Sequence, residues 1–119
     1  MKRQLAEKRG HRAETVALLM LRLKGYRLLA RRFKTHQGEI DLIMRRGKTT
    51  AFIEVKARAN HEEAIISVSP TQAKRISSAA SLWLAKDNFA ATNFCRFDIV
   101  VVNAYLWPKH INNAFVGDQ

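Results

Sequence analysis

Two alternating segments joined by a short turn are the strongest constraint on the fold of this chain. Residues 38–46 and 50–58 each alternate between the two sides of an extended chain, which is typical of β-strands in a layered sheet. Between them lies Arg46-Gly47-Lys48, a turn sequence. The pattern predicts an antiparallel hairpin. One face of its first strand holds Ile40, Leu42 and Met44, and the other holds Glu39, Asp41 and Ile43.

A helix is predicted on each side of this hairpin in the chain. Apolar residues at steps of three and four predict a first helix over residues 11–24, ended by Gly25, with residues 1–10 as a flexible basic arm. Ser69 as N-cap, Pro70 at the first helical position and Gln72 closing a capping box predict a second helix that runs to about Lys86. Residues 26–33 and 94–103 are predicted as strands, and residues 110–116 as an edge strand.

The order of these elements, α-β-β-β-α-β-β, predicts an α/β fold in which a central mixed sheet is flanked by helices. The strand at 94–103 follows a helical crossover, so we expect it to run parallel to an earlier strand. The chain has 119 residues, which suits a single domain spanning 1–119 and is too short for two ordinary ones.

Charge is distributed unevenly along the chain. The formal net charge is +11, and residues 1–60 carry all of this excess, because residues 61–119 contain equal numbers of basic and acidic residues. A one-sided field of this kind favours a polyanionic partner, with nucleic acid first and an anionic membrane surface second. A basic protein without a specific polyanion remains the alternative.

Localisation is predicted from two further observations. The longest apolar run, residues 16–21, is cut off by Arg22 and is far shorter than a membrane span. The single Cys95 can form neither an internal disulfide nor a thiolate zinc cage. We therefore expect a cytoplasmic protein with no membrane partner.

Three charged residues lie within the apolar strands of the hairpin. They are Asp41 on the first strand, and Glu54 and Lys56 two residues apart on one face of the second. Charged groups in such surroundings are costly unless they are paired or bound to a metal, and paired carboxylates suit Mg²⁺ or Mn²⁺. A lysine beside them can position water and offset phosphate charge, so the set suits metal-assisted phosphodiester hydrolysis. The competing interpretation is a surface ion pair of little consequence.

The two strands also resemble a known family. Gly38-Glu39-Ile40-Asp41-Leu42-Ile43 followed by Phe52-Ile53-Glu54-Val55-Lys56-Ala57-Arg58 resembles the YraN family of small bacterial proteins, over nearly the whole chain. That family is similar to the restriction-endonuclease-like nucleases and to Holliday-junction resolvases. The resemblance implies a restriction-endonuclease-like sandwich and the PD-(D/E)xK pattern, in which Ile40 stands in place of the proline.

The resemblance also implies roles for individual residues. Asp41 and Glu54 match the metal-binding acids, the carbonyl of Val55 a further ligand, and Lys56 the catalytic lysine. Glu14 matches an acidic residue facing the site from the first helix; the alternative is a solvated glutamate near Arg12 or Arg22. Three more residues are candidates with weaker support: Glu39 as an auxiliary group, Gln72 as an auxiliary group or a helix cap, and Lys74 as a phosphate contact or a solvated lysine.

These observations predict a Mg²⁺-dependent endonuclease that cleaves DNA phosphodiester bonds, with branched DNA as one candidate substrate. A binding module without turnover and an accessory interaction protein are the rival functions, and a homodimer is left open. Further cations predicted to hold the nucleic-acid backbone are Arg31, Arg32, Lys34, Arg45, Arg46, Lys48 and Arg58.

Overall fold

The computed structural model describes residues 2–115, and the side chains of residues 10–115. Five strands form one mixed sheet in the order β1-β2-β3-β4-β5. The strands are β1 (Arg27–Lys34), β2 (Glu39–Arg46), β3 (Thr49–Ala57), β4 (Phe94–Val102) and β5 (Pro108–Ile111), and the helices are α1 (Lys2–Leu23), α2 (His61–Ser67), α3 (Pro70–Lys86) and α4 (Asn88–Thr92).

The sheet combines a local meander with one crossover. β1, β2 and β3 are antiparallel neighbours, β3 pairs with β4 in parallel, and β5 returns antiparallel to β4. The predicted hairpin, the parallel apolar strand and the α/β sandwich are therefore confirmed. The architecture is compatible with the restriction-endonuclease-like fold that the resemblance implied.

The two long helices cover opposite faces of the sheet. On the α1 face, Ala13, Ala17, Leu18 and Leu21 pack in one core cluster with residues of the sheet that include Leu42, Met44, Ile53 and Val100. On the other face, Ile76, Ala79 and Ala80 of α3 pack with Ile40, Ile43 and Phe52. The second half of β4, residues 98–102, is buried on both faces, which is typical of a continuous apolar run in a parallel strand.

The first helix begins earlier than the sequence predicted. α1 starts at Lys2, so residues 2–10 are helical and do not form the predicted arm. Apart from Gly10, this segment consists of lysine, arginine, glutamine, leucine, alanine and glutamate, which favour helix without producing an apolar stripe here. The C-terminal end of α1 is as predicted, because Gly25 follows the helix with φ +93°. Tyr26 N donates to Leu21 O and Gly25 N donates to Arg22 O, which is the hydrogen-bond pattern of a Schellman motif.

Two short helices and the last strand depart from the prediction. No helix was predicted for the segments of α2 and α4, where Asn60 and Asp87 act as side-chain N-caps. β5 begins at Pro108, two residues before the predicted start of the edge strand; proline is compatible with the first residue of such a strand. The predicted end of this strand, Val116, lies outside the described residues. Within residues 2–115, no helix is long and apolar enough to cross a bilayer.

Candidate active site

The site is built where β2 and β3 separate. Their pairing runs from the turn to Leu42 and Ile53, and the next residue of β2, Asp41, does not continue the ladder. Here the side chain replaces a backbone partner, because Asp41 Oδ2 accepts a hydrogen bond from Val55 N at 2.8 Å. The side chain of Asp41 is thereby fixed at the fork between the two strands.

Because the β2–β3 ladder ends at Asp41, the side chain of the preceding residue, Ile40, lies on the opposite face of the sheet from the one predicted. Ile40 was predicted to share a face with Leu42 and Met44, but it is buried with Ile43 on the α3 side of the sheet. Strand β1 has an unusual backbone at the same level, because Arg32 has φ +54°; the register shift of the β1–β2 pairing lies nearer the start of β1, between Leu28 and Ala30. The predicted alternation is wrong here because it assumes an uninterrupted ladder.

Glu54 lies beside Asp41 and is nearly inaccessible, at 7% exposure. Its Oε2 accepts a hydrogen bond from Gln72 Nε2 at 2.9 Å. Burial raises the pKa of Glu54 well above its ordinary value, and a hydrogen bond with the Asp41 carboxyl and the negative charge of that group raise it further; Lys56 opposes the change. The two carboxyls therefore converge, and Glu54 keeps its proton to a higher pH than an exposed glutamate does.

Gln72 joins the lysine to this acidic pair. Lys56 Nζ donates to Gln72 Oε1 at 3.0 Å, while the amide nitrogen of the same side chain donates to Glu54. The predicted capping box is only half formed: Gln72 N donates to Ser69 Oγ at 3.1 Å, but the Gln72 side chain points to the site instead of back to the cap. An amide carries both a donor and an acceptor, so one side chain can contact an ammonium and a carboxyl together.

Glu14 faces the same region from α1. It is buried, and Arg31 Nε donates to its Oε1 at 2.7 Å while Arg32 Nε lies 3.1 Å from the same oxygen. Its partners are therefore these two arginines of β1 and not Arg12 or Arg22, the neighbours that the solvated alternative would have given it. Glu14 thus anchors two of the cations predicted to hold nucleic acid.

A cleft of about 280 Å³ opens beside Asp41. Glu14 and Arg32 lie at its α1 side, and Lys34 and Glu39 come from the neighbouring strand ends. Asp41 thus separates two groups of side chains: the cleft with its cations on one side, and Glu54, Gln72 and Lys56 on the other. The cleft is lined by Gly10, His11, Glu14, Arg32, Lys34, Glu39, Ile40, Asp41 and Val55.

The other cations predicted to bind nucleic acid do not line this cleft. Arg46 and Lys48 lie at the far end of the hairpin, about 16 Å along the strand from Asp41 at roughly 3.3 Å per residue. Arg45 is engaged internally, with its side chain 11% exposed and its Nη2 2.7 Å from Asp87 Oδ2. Arg58 and Lys74 are exposed, on the chain just past β3 and on α3.

A second buried charged cluster surrounds Asp98 of β4. Asp98 is fully buried and accepts hydrogen bonds from Arg96, from His110 Nε2 at 2.8 Å and from Asn113 N at 2.8 Å. Burial alone would oppose ionisation, but these hydrogen bonds lower the pKa of Asp98. The cluster ties β4 to β5 and to the chain beyond it; the arginine and aspartate two apart on one strand were its only local signal.

The carboxylate pair is compatible with a divalent cation that keeps several water ligands. Asp41 and Glu54 offer hard oxygen donors, and Mg²⁺ typically uses one or two carboxylates with water and phosphate completing its shell. Among the side chains that the structure describes, those of residues 10–115, no group of three or more His, Cys, Asp and Glu is arranged to hold a metal.

Comparison with known proteins identifies the family. The profile described as "uncharacterised protein family UPF0102" matches residues 13–102. The chain belongs to the UPF0102 family. The resemblance to the YraN family is thereby confirmed, because the two names denote one family.

UPF0102 relatives match almost the whole chain. It is 50% identical over 117 residues to a UPF0102 protein of Chelativorans sp. (strain BNC1), covering 98% of this chain and 94% of the relative. It is 51% identical over 114 residues to one from Methylorubrum populi, covering 96% and 91%. A UPF0102 protein of Mesorhizobium japonicum is 48% identical over 115 residues, covering 97% and 92%.

Proposed function

We propose that this UPF0102 protein is a divalent-metal-dependent endonuclease that hydrolyses DNA phosphodiester bonds. The observation that carries the proposal is the convergence of Asp41 and Glu54 at the strand fork, with Lys56 linked to the same pair through Gln72. A surface ion pair would not need a buried glutamate or an amide bridge. An arrangement of two acids and one lysine is what metal-assisted phosphate chemistry requires.

The metal is proposed at the two carboxylates, with the Val55 carbonyl as a third oxygen. The raised pKa of Glu54 reflects the cost of burying two negative charges together, and a cation between them removes that cost. When bound, Mg²⁺ or Mn²⁺ supplies positive charge that polarises the scissile phosphate. The hydrogen bond from Val55 N holds Asp41 in place for this role.

Lys56 is proposed as the catalytic cation. Its ammonium holds the attacking water and offsets negative charge as the water oxygen bonds to phosphorus and the bond to the leaving oxygen breaks. The attacking water releases one proton to solvent and the leaving oxygen takes one up from solvent, so the phosphodiester and water become a phosphomonoester and an alcohol. Gln72 positions Lys56 and Glu54 relative to each other, because its amide contacts both.

DNA is proposed as the substrate because of the charge around the site. Arg32 and Lys34 line the cleft beside Asp41, and the whole chain has a net charge of +11. Such contacts bind backbone phosphates without reading sequence. Glu39 and Glu14 are proposed to hold these cations in place, and a homodimer would provide two sites for cutting paired strands.

The test is cleavage of labelled linear, flapped and four-way DNA with Mg²⁺, with Mn²⁺ and with chelator. The proposal expects metal-dependent products that disappear in Asp41→Asn protein. A matched control is Glu62→Gln, which removes the same charge from an exposed position on α2. Salt-sensitive DNA binding with no cleavage under any condition would favour the rival binding module, and absence of both would favour an accessory interaction protein.

A further inference from the structure

The hairpin tip between β4 and β5 presents apolar side chains to solvent. Tyr105 is 91% exposed and Trp107 is 73% exposed, with Leu106 partly exposed between them. Trp107 is therefore not part of the core. Two exposed aromatic rings within one turn are unusual, because large exposed apolar groups are normally single or functional.

The backbone of this tip is fixed despite its exposure. Asn103 Oδ1 accepts from both Tyr105 N at 2.9 Å and Trp107 N at 3.1 Å. Asn103 N donates to Trp107 O, Leu106 N donates to Asn103 O, and Leu106 has φ +59°. One asparagine thus closes the tip into a tight turn, and the two rings are held outward by the backbone without packing of their own. Such preorganisation reduces the entropy lost on binding.

The tip lies at the same end of the sheet as the acidic site. In the parallel ladder Lys56 pairs with Val101 and Ala57 with Val102, so the tip begins one residue beyond the end of β3. Trp107, opposite Asn103 at the tip, is two residues beyond the level of Lys56 and two strands away from it. At about 3.3 Å per residue and about 4.8 Å per strand, this places Trp107 roughly 12 Å from Lys56. Arg58 and Lys109 are exposed on the neighbouring strand ends and can hold phosphates between the two places.

We propose that this tip stacks an unpaired nucleobase of the substrate, so that the enzyme acts on DNA with a branch, flap or single-stranded end. The inference deepens the proposed function and rests on it for the identity of the ligand. Bases within a duplex already stack on their neighbours, and only an unpaired base offers a free face to an aromatic ring. Aromatic rings beside a basic surface are the usual platform for such bases.

The experiment compares binding of flapped and fully paired DNA in chelator, so that cleavage is not needed. The flap carries 2-aminopurine at its unpaired position, whose fluorescence falls when it stacks. The variant is Tyr105→Ala with Trp107→Ala, and Trp107→Phe alone tests whether another ring restores binding. The control is Phe94→Ala, since Phe94 is 69% exposed at the opposite end of the sheet, where it pairs with Thr49.

We expect the double variant to bind flapped DNA about 5- to 150-fold more weakly, the effect of losing one stacked base, and to bind duplex within about twofold of the parent. Fluorescence quenching should disappear in the double variant and persist in Trp107→Phe and Phe94→Ala. Thermal unfolding of the double variant should match that of the parent, because neither ring is packed.

Three results would overturn the inference. They are equal loss for both DNA forms, no loss for either, and conversion of a dimeric parent into a monomer by the double variant, which would make the tip a protein interface. Cleavage with Mg²⁺ is measured separately on the same DNA. If the parent cleaves this DNA and the double variant binds and cleaves it equally well, the stacking inference is wrong and the proposed nuclease activity is unaffected. If the flap base stacks on the parent but no DNA is cleaved, only the proposed nuclease activity is wrong.

Discussion

At the residue scale, the candidate site depends on one amide that links three side chains. The oxygen of the Gln72 amide accepts a hydrogen bond from Lys56, its nitrogen donates one to Glu54, and Glu54 in turn contacts Asp41. Each contact restricts the rotamers of the next side chain, so the lysine is held above the acidic pair. The consequence is that roles can be separated by single substitutions.

Lys56→Ala should lower the turnover rate by about 100-fold or more, while DNA affinity falls by no more than about one phosphate contact. An interaction made mainly in the transition state affects kcat and hardly affects ground-state binding. Single-turnover cleavage and equilibrium binding, measured on the same DNA, check this. The control is Lys86→Ala, which removes an exposed charge at the end of α3. Unchanged cleavage by Lys56→Ala would exclude this lysine from catalysis.

Glu54→Gln should flatten the pH dependence of stability in the metal-free protein. Burial and Asp41 raise the pKa of Glu54, so the folded protein keeps a proton that the unfolded chain releases. This contribution is complete below the ordinary glutamate pKa and is lost as the pH rises towards the folded pKa, at up to about 1.4 kcal/mol per pH unit.

The measurement is urea unfolding in chelator between pH 5 and pH 8. Glu62→Gln, an exposed glutamate of α2, serves as the control and should keep the parental slope. Excess Mg²⁺ should stabilise the parent, by about 2.7 kcal/mol at 100 times Kd, and have little effect on Glu54→Gln. Identical pH slopes for Glu54→Gln and the parent would show that this carboxyl is not buried next to Asp41.

At the scale of elements, the position of α3 decides whether Gln72 reaches the site. Gly38, just before β2, lies directly against the helix: a Cβ there would be 2.0 Å from the backbone oxygen of Arg75. Backbone cannot move aside as a flexible side chain can. The glycine therefore sets how closely the helix approaches the strand that carries Asp41.

Gly38→Ala should destabilise the protein by about 1–3 kcal/mol and lower cleavage as well, because α3 must shift and carries Gln72 with it. Thermal unfolding and cleavage by the same preparation test this. The control for unfolding alone is Gly10→Ala in α1, where an added Cβ meets nothing within 4 Å; it is not a control for cleavage, because Gly10 lines the cleft. That substitution should be neutral or stabilising, by up to about 1 kcal/mol. Wild-type stability in Gly38→Ala would mean that α3 packs further from the strand.

The elements that the sequence predicted are those with several turns or strand repeats of local pattern. The hairpin and α3 were predicted for this reason, and the hairpin register also brought Asp41 close to Glu54. α2 and α4 were missed because seven and five residues hold too little periodicity, although Asn60 and Asp87 mark their starts. The face of Ile40 and the direction of the Gln72 side chain depend on contacts between distant segments, which no local pattern contains.

At the scale of the whole molecule, the positive charge is divided between two regions. Arg32 and Lys34 lie at the site, whereas Arg46 and Lys48 lie at the opposite end of the β2–β3 hairpin. Arg45 contributes little to binding, because it is paired with Asp87 and stacked on Phe89. If DNA is bound at the site end, only the first group should neutralise phosphates.

Lys34→Ala should therefore weaken DNA binding and reduce the slope of log affinity against log salt by about one, whereas Lys48→Ala should leave that slope unchanged. The two substitutions remove the same charge from exposed positions, so each is the control for the other. Titrations at several salt concentrations give the slopes. A parent without salt dependence would refute polyanion binding, and equal effects would place the DNA along the whole hairpin.

The parallel pairing of β3 with β4 also affects how the chain reaches its native state. Strands β1 to β3 are connected by short turns, so they can meet early, whereas β4 must wait for residues 58–93 to form a crossover. Contacts between distant segments form slowly, because the chain loses the entropy of loop closure before these contacts contribute any stabilising free energy. The acidic pair thus comes together within the early meander, and Gln72 reaches it only when the crossover docks. During synthesis, the two carboxyls would be neighbours before the helix that covers them exists.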